Sequence, residues 1–335
     1  MRLTAIGTGN PPVRRGQGAT SWLVELGNGD KFIFDIGGGS VPSLWSLKVS
    51  PGTLDKLFVT HLHFDHVGGI FTLWDAMGWG RNRPLHIYGG SGSTKELGLT
   101  SFVNNVRKAG AWHTKSKSGT IPMDSMTLVP HEFDSSKFSP KQPRTLIYEK
   151  NGVKIFAFPV DHILVGSSGY RLEWRGLSMA FTGDSIPTTF EAEQAKGVDV
   201  FIHELFVEAS TMSKHGKMPL SLATKVIDHH TSAEQLGEIF SIAKPALGVA
   251  SHLYVNDYTI DPAFKGIAST YSGPVAIAQD LTVINVTPNQ IVTRIAKTDP
   301  LAWGGLRYLP ILIISHDSHL SQRMEEHRNG LVTLV

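Results

Sequence analysis

The chain has 335 residues, of which 18% are charged, and its formal net charge at pH 7 is +2. This balance lacks both the high net charge of a disordered chain and the strong basic excess of a dedicated nucleic-acid binder. The sequence contains no cysteine, which excludes disulfides, thiolate zinc sites and cysteine nucleophiles. Histidines and carboxylates are therefore the candidate metal ligands.

The first residues, "MRLTAIGTGN", predict a β-strand that ends in glycine-rich turn residues. They show no basic segment, long apolar stretch and small-residue cleavage site of the kind that forms a signal peptide. No apolar run approaches the roughly 18 to 20 residues that a membrane-spanning helix needs. We therefore expect a cytoplasmic protein without a membrane segment.

Short apolar runs rich in β-forming residues recur along the chain, and several end in an acid or a histidine: "KFIFDIGGG", "LDKLFVTHLH", "KIFAFPVDH", "LSMAFTGDS", "VDVFIHE" and "ALGVASH". Helical patterns separate them, so the sequence predicts a layered α/β domain whose ligands bind where loops leave the strand ends. The side chains expected to meet at one rim are Asp35, His61, His63, His162, Asp184, His203 and His252.

The clearest helical pattern is "TSAEQLGEIFSIAK", in which four apolar residues share one face: Leu236, Ile239, Phe240 and Ala243. Thr231 and Glu234 stand three residues apart ahead of this apolar face. That spacing predicts a capping box at the start of the helix.

Two segments break the alternation of strands and helices. Residues 110–145 are rich in Lys, Ser and Pro, which predicts an excursion over the surface. Residues 298–335 have no counterpart in the pattern and are expected to form a C-terminal extension that packs on the domain or on another subunit. We therefore divide the chain into one domain, residues 1–297, and this extension.

The stretch "VTHLHFDHVGG" places four candidate ligands within six residues. His61 and His63 alternate just past a strand, so both imidazoles project to the same side. Asp65 and His66 follow at the opening of the next helix. One turn could thus supply two adjacent metal positions.

The H-x-H-x-D-H pattern after a strand resembles the signature of the metallo-β-lactamase fold. "FPVDHILVGSSGYRLEWRGLSMAFTGDS" resembles the segments of that fold that carry a third histidine and a bridging aspartate. "FIHELF" and "HTSAEQLGEIFSIAKPALGVASH" resemble the His-Glu and His-Thr segments of its ribonuclease Z branch and the last ligand. The resemblance covers residues 1–297 and implies a four-layer αββα sandwich.

The resemblance also implies a dinuclear metal centre with two zinc ions per subunit, and its N/O ligands are compatible with manganese or iron as well. One metal would be held by His61, His63 and His162, the other by Asp65, His66 and His252, with Asp184 between them. The metals would share a hydroxide that attacks the substrate. Asp65 would orient the water or take its proton, and Asp35 would support the histidine loop by hydrogen bonding.

Glu204 and His230 match the residues that assist the leaving group in the ribonuclease Z branch. A nearby carboxylate raises the pKa of a histidine, so we expect His230 to be protonated at neutral pH. Its proton would then neutralise an alkoxide leaving group. We expect ordinary structural roles for His86, His203 and His229.

The tRNA-processing members carry a long basic arm after the third-histidine segment, but here the chain runs directly from Tyr170 to Asp184. This argues against precursor tRNA and favours a small-molecule or oligonucleotide substrate. Residues 207–229 form instead a long interval that, with Trp79 and Phe206, could cover the pocket. The resemblance further implies a homodimer or higher homo-oligomer.

Other functions remain open at this point. The main alternative is an acyl hydrolase of a β-lactam, lactone or cyclic amide, with β-lactamase activity as the main or a side reaction. A redox enzyme on this fold would usually have a glutamate at position 63 and a flavin partner, and the sequence has neither. A binding module without metals is disfavoured by the intact ligand pattern. No motif identifies the substrate-binding residues.

Overall fold

The computed structural model describes residues 1–78, 80–139 and 141–299. These residues form the following strands: β1 (Arg2–Gly7), β2 (Ser21–Glu25), β3 (Lys31–Phe34), β4 (Lys56–Phe58), β5 (Leu85–Gly90), β6 (Leu128–Phe133), β7 (Thr145–Lys150), β8 (Val153–Pro159), β9 (Ser168–Trp174), β10 (Leu177–Phe181), β11 (Val200–Glu204), β12 (Leu247–Ser251), β13 (Val275–Ile277), β14 (Thr282–Val286) and β15 (Ile291–Ile295). The α-helices are α1 (Val41–Ser46), α2 (Phe64–Val67), α3 (Ile70–Gly78), α4 (Leu99–Ala109), α5 (Ala111–Ser116), α6 (Thr189–Gln194), α7 (Ala209–Gly216), α8 (Leu220–Ile227), α9 (Ala233–Ala243) and α10 (Ile260–Thr270).

The strands form two sheets. The first has the order β15-β14-β1-β2-β3-β4-β5-β6 and the second the order β13-β12-β11-β10-β9-β8-β7. Strands β3 to β6 are parallel to one another, as are β10 to β13. Because parallel strands end at the same edge of a sheet, the loops that follow them meet there.

Three apolar clusters hold the layers together. The cluster between the sheets contains large buried side chains from both, including Trp22, Phe34, Phe58 and Tyr170. A second cluster lies between the first sheet and helices α1, α3 and α4, and a third between the second sheet and helices α6, α9 and α10. Burial of each such large apolar side chain stabilises the fold by about 1.5–3 kcal/mol. The four-layer αββα sandwich predicted from the sequence is confirmed.

Helix α9 begins one residue later than its sequence pattern predicts. Its capping box pairs Ser232 with Gln235, not Thr231 with Glu234. The Thr231 hydroxyl is used elsewhere, since it donates a hydrogen bond to the backbone carbonyl of Ser185 at 2.7 Å. A tertiary contact has therefore displaced the cap predicted from local sequence.

Part of the predicted surface excursion is instead a strand of the first sheet. Within residues 110–145, β6 pairs in parallel with β5 and forms the edge of the sheet. Its only side chain classed as fully buried is Leu128, so the segment lacks the apolar run by which strands are recognised in sequence.

The described chain ends at Asp299, whose backbone N–H donates to the carbonyl of Ser46 at 3.0 Å. Residues 300–335, and with them nearly all of the predicted extension, lie outside the described residues, as does Trp79. The roles proposed for them stay predictions. In the part of the chain that the structure describes, no helix is long and apolar enough to cross a membrane.

Candidate metal centre

The predicted ligands leave different strands and converge at one edge of the sandwich. His61 and His63 follow β4, and Asp184 follows β10. His252 follows β12 and has a left-handed backbone with φ of +60°. His162 follows β8, beside an isolated bridge between residues 161 and 186 that ties its loop to the Asp184 segment.

The first group of ligand atoms consists of three histidine nitrogens and one aspartate oxygen. His61 Nε2 lies 2.9 Å from His63 Nδ1, and His162 Nε2 lies 3.4 Å from the same atom. Asp184 Oδ2 is 3.8 Å from His61 Nε2 and 3.9 Å from His162 Nε2. One ligand atom from each of the four residues lies within 4.8 Å of all the others.

The second group surrounds the other oxygen of Asp184. His66 Nε2 and His252 Nε2 lie 3.0 and 3.2 Å from Asp184 Oδ1. Asp65 Oδ2 lies 3.0 Å from His252 Nε2 and 3.5 Å from His66 Nε2. Asp184 thus faces the two groups with different oxygens, which is the arrangement expected of a bridging carboxylate.

Hydrogen bonds behind the rings fix which nitrogen faces the centre. His66 Nδ1 lies 2.7 Å from Asp35 Oδ2, and Asp35 also accepts hydrogen bonds from the backbone N–H and the hydroxyl of Thr60, both at 2.8 Å. His162 Nδ1 donates to the backbone carbonyl of His229 at 3.1 Å. Each ring therefore keeps Nε2 available to the centre. Thr60 was not predicted, although it directly precedes the first ligand.

Burial and neighbouring charges together set the charges of these groups. Burial lowers the pKa of His61 well below the ordinary value and that of His162 to about 4, so both rings are neutral at pH 7. Burial alone would raise the pKa of Asp184, but His252 and His66 hold it well below its usual range. Burial likewise opposes ionisation of Asp65, but His66 and His252 together bring its pKa to about 2. Neutral imidazoles and ionised carboxylates are the forms that bind metal ions.

The donor set fits divalent cations. His66 Nε2 and Asp184 Oδ1 are buried, and although they lie 3.0 Å apart, neither forms a hydrogen bond of regular geometry with the residues that the structure describes. Although burial opposes it, Asp184 and Asp65 hold the pKa of His66 well above its ordinary value, which shows that this cluster attracts positive charge. Nitrogen and oxygen ligands without thiolates are compatible with zinc, manganese or iron.

Glu204 and His230 lie beside this centre, as the sequence predicted. His230 Nδ1 is 2.9 Å from both carboxylate oxygens of Glu204 and 4.0 Å from Asp184 Oδ2. The backbone N–H of Ser185 donates to Glu204 Oε1 at 2.7 Å. The ring of Phe206 stacks on His230 with centroids 4.1 Å apart. The Ser185 N–H therefore holds the Glu204 carboxyl group, and the Phe206 ring packs against His230.

The pKa of His230 is shifted in the direction opposite to the expected one. We expected Glu204 to raise its pKa, but burial of the ring lowers it. Burial, together with the nearby Asp184, raises the pKa of Glu204 well above the ordinary range. Because desolvation disfavours both charges, the proton that the pair shares can reside on the carboxyl group. In either arrangement the Nε2–H of His230 stays available as a donor.

A cavity of about 410 Å³ opens onto the centre. It is lined by Pro11, Leu62, His63, Phe64, Asp65, Asp184, Phe206, Val226, His230 and His252. The interval 207–229, which we predicted to cover the pocket, contributes Val226 to this lining. Of the histidines predicted to be structural, His203 is fully buried and contacts Glu191, while His86 contacts His131.

Comparisons with known proteins agree with the fold. The ribonuclease Z of Mycobacterium bovis (strain BCG / Pasteur 1173P2) is 25% identical over 302 residues, which cover 87% of this chain and all of the relative. The human tRNase Z short form superimposes with a TM-score of 0.62 at 19% identity and covers 86% of this chain and 100% of its own. The metallo-β-lactamase fold protein YhfI of Bacillus subtilis gives a TM-score of 0.58 at 18% identity, covering 84% of this chain and 98% of its own.

The chain therefore has the metallo-β-lactamase fold and resembles its ribonuclease Z branch. A family model described as "Anti-Pycsar protein Apyc1" matches residues 1–224, which is more than half of the sequence. On the strength of this match, the chain belongs to the Anti-Pycsar protein Apyc1 family.

Proposed function

We propose that this protein is a metal-dependent hydrolase of phosphodiester or related ester bonds, with a dinuclear centre and a separate acid for the leaving group. The observation that carries the proposal is the placement of Asp184. Its two oxygens face two different ligand groups, and the Glu204–His230 pair lies directly beside them. The curated relatives named ribonuclease Z support the same reaction class.

In this proposal His61, His63 and His162 would hold one ion, and Asp65, His66 and His252 the other, with Asp184 bridging them. Two zinc ions are the expected occupants, and the ligands also suit manganese or iron. When bound, such ions lower the pKa of a coordinated water to about 7 and polarise a phosphoryl oxygen.

The chain's own residues would carry out the proton transfers. Asp65 lines the cavity, where its carboxylate would orient the attacking water or take its proton. As the bond between phosphorus and the leaving oxygen breaks, His230 would donate its Nε2 proton to that oxygen. If the shared proton starts on Glu204, the carboxyl group would pass it to Nδ1 in the same step, so that His230 stays neutral. If the proton starts on Nδ1, His230 changes from imidazolium to neutral imidazole and Glu204 stays a carboxylate.

The cavity favours a small diester or a short oligonucleotide end. Its volume of about 410 Å³ is in the range of small-molecule sites, and its walls are apolar apart from the metal ligands and His230. Strands β9 and β10 are joined by a turn of two residues, Arg175 and Gly176, both with positive φ. This tight hairpin stands where a tRNA-binding arm would have to emerge, so precursor tRNA is disfavoured.

An acyl hydrolase would use the same metal centre, but it does not need a buried acid pair next to the bridging aspartate. The Glu204–His230 pair is therefore the feature that favours phosphodiester chemistry over lactam or lactone opening. A homodimeric state and a cytoplasmic location stay predictions.

The test compares His230→Ala with the wild-type protein on two substrates. With the dinucleotide uridylyl-uridine, whose leaving group is an alkoxide, kcat should fall by about 10²–10⁴-fold, the usual contribution of a general acid. With bis(4-nitrophenyl) phosphate, whose leaving group needs no proton, it should fall far less. Chelation should abolish both activities, and added zinc should restore them. An equal fall on both substrates would refute the acid role, and activity that survives chelation would refute the metal-dependent function.

A further inference from the structure

A buried histidine and a buried glutamate lie behind the site. His203 and Glu191 are both 0% exposed. His203 Nδ1 lies 2.8 Å from the backbone carbonyl of Glu204, which can only accept, so Nδ1 carries a hydrogen. His203 Nε2 lies 3.3 Å from Glu191 Oε1, an oxygen that also accepts from the backbone N–H of Thr188. Although burial opposes it, the contact with Glu191 raises the pKa of His203, which favours an imidazolium that donates from Nε2 to Glu191.

Ser185 connects this ion pair to the site. Its hydroxyl donates to Glu191 Oε2 in a short hydrogen bond, and its backbone N–H donates to Glu204 Oε1 at 2.7 Å. Its carbonyl accepts from the hydroxyl of Thr231 at 2.7 Å. Asp184 precedes Ser185 in the chain and His230 precedes Thr231. One residue thus joins the bridging aspartate to both members of the acid pair.

We propose that Glu191, His203 and Ser185 form a positioning unit that fixes the Glu204–His230 pair relative to Asp184. The inference rests on the proposed function, because it assumes that the pair serves as an acid. None of the three residues lines the cavity, so they are positioning residues that act through Glu204.

Two simpler explanations cover only part of the geometry. Glu191 completes a capping box with Thr188 at the start of helix α6, which explains its contact with the Thr188 backbone. A capping carboxylate is normally exposed, however, and needs neither a buried imidazolium nor a buried hydroxyl. A buried ion pair also adds little net stability to the fold, because desolvation cancels much of its attraction. Positioning of Glu204 accounts for the contacts of Glu191 with both the His203 ring and the Ser185 hydroxyl.

The test variant is Glu191→Gln, with Thr188→Ala as its matched control. Glutamine keeps the size and a hydrogen-bond acceptor but removes the charge opposite His203. Thr188→Ala weakens the same helix start and leaves the Glu191 carboxylate in place. For Glu191→Gln we expect kcat on uridylyl-uridine to fall by about 10–100-fold with little change in KM, as for other supporting residues of metal sites. Bis(4-nitrophenyl) phosphate should be hydrolysed nearly as fast as by the wild type, and Thr188→Ala should leave the ratio of the two rates unchanged.

Nitrogen-15 NMR of the histidine rings gives a readout that does not depend on activity. In the wild type at pH 7, both ring nitrogens of His203 should be protonated, and Glu191→Gln should shift the ring signals of His230. A neutral His203, or an equal loss of rate on both substrates, would overturn the positioning role. If the wild type hydrolyses neither substrate, the proposed function fails, while the His203 and His230 signals still decide whether the unit holds the pair.

Discussion

Asp35 positions a candidate ligand through one fully buried carboxylate. It accepts two hydrogen bonds from Thr60 and one from His66 Nδ1, all between 2.7 and 2.8 Å. Its backbone is left-handed, with φ of +56°, a conformation that costs energy for a residue other than glycine. The hydrogen bonds offset that cost and hold His66 Nε2 toward Asp184.

Asp35→Asn should weaken metal binding more than it weakens the fold. Asparagine removes the charge and one acceptor, so His66 would lose part of its orientation. We expect the affinity for zinc to fall by about 10–100-fold, the usual effect of losing such a supporting group. Titration of zinc against a competing chelator measures this. Asp257→Asn, on the exposed surface, serves as the control, and an unchanged affinity in Asp35→Asn would contradict the supporting role.

The candidate ligands could be predicted residue by residue because they stand at strand ends or in the short helix after β4, in the order that the family resemblance implies. The lowered pKa of His230 could not be predicted, because it depends on burial, which no local pattern reveals. Ser185 and Glu191 were missed for a related reason. Their partners come from β11 and the loop before α9, and such contacts exist only after the second sheet has formed.

At the scale of elements, close backbone contacts with the loop after β3 hold the short helix α2 in place. The backbone N–H of Ile36 donates to the carbonyl of His66 at 2.7 Å, and the N–H of Gly69 donates to the carbonyl of Ile36 at 2.8 Å. A Cβ atom on Gly37 would lie 2.3 Å from the carbonyl oxygen of Asp65. Only glycine allows the loop after β3 to approach α2 this closely.

Gly37→Ala should therefore disturb the metal centre through the backbone. The added methyl group must displace α2, which carries Asp65 and His66, and such overpacking typically costs about 1–3 kcal/mol. We expect a lower free energy of unfolding in urea and a weaker affinity for zinc. Gly16→Ala is the matched control, since a Cβ there meets nothing within 4 Å. Equal free energies of unfolding for the two variants would show that the loop can move aside without loss of stability.

The elements themselves were predictable to different degrees. Apolar runs that end in a ligand identified the strands around the site correctly. Strand β6 was missed because a single buried leucine gives it no apolar run, and because it lies in a segment rich in Lys, Ser and Pro. The cap of α9 was misplaced because Thr231 bonds to Ser185 and not to its own helix.

At the scale of the whole molecule, the metal centre depends on the packing of the two sheets. Asp35, His61 and His63 follow strands of the first sheet, whereas Asp184 and His252 follow strands of the second. The apolar cluster between the sheets sets the distance between these two sets. Alternating strands and helices predicted the layers and a common rim for the side chains at the strand ends, but only the family resemblance predicted which of those side chains would share a metal.

The division of the chain after the sandwich can be tested by truncation. In the described residues, none of the three apolar clusters has a fully buried member beyond Val286, although β15 still pairs with β14 over five residue pairs. A chain that ends at Asp299 keeps all of these contacts together with the hydrogen bond to Ser46. We therefore expect its Tm to lie within a few degrees of that of the full chain, since about 1 kcal/mol shifts Tm by roughly 2–4 °C at 150–250 residues.

A chain that ends at Gln290 is the control for this truncation, because it removes the edge strand β15 and should unfold at a clearly lower temperature. Sedimentation velocity on the same samples distinguishes the two roles proposed for the extension. If residues 300–335 pack on another subunit, the chain ending at Asp299 should sediment as a smaller species with its Tm little changed. If they pack on their own domain, the oligomeric state should persist while Tm falls. Failure of the shortened chain to fold at all would contradict the division into domain and extension.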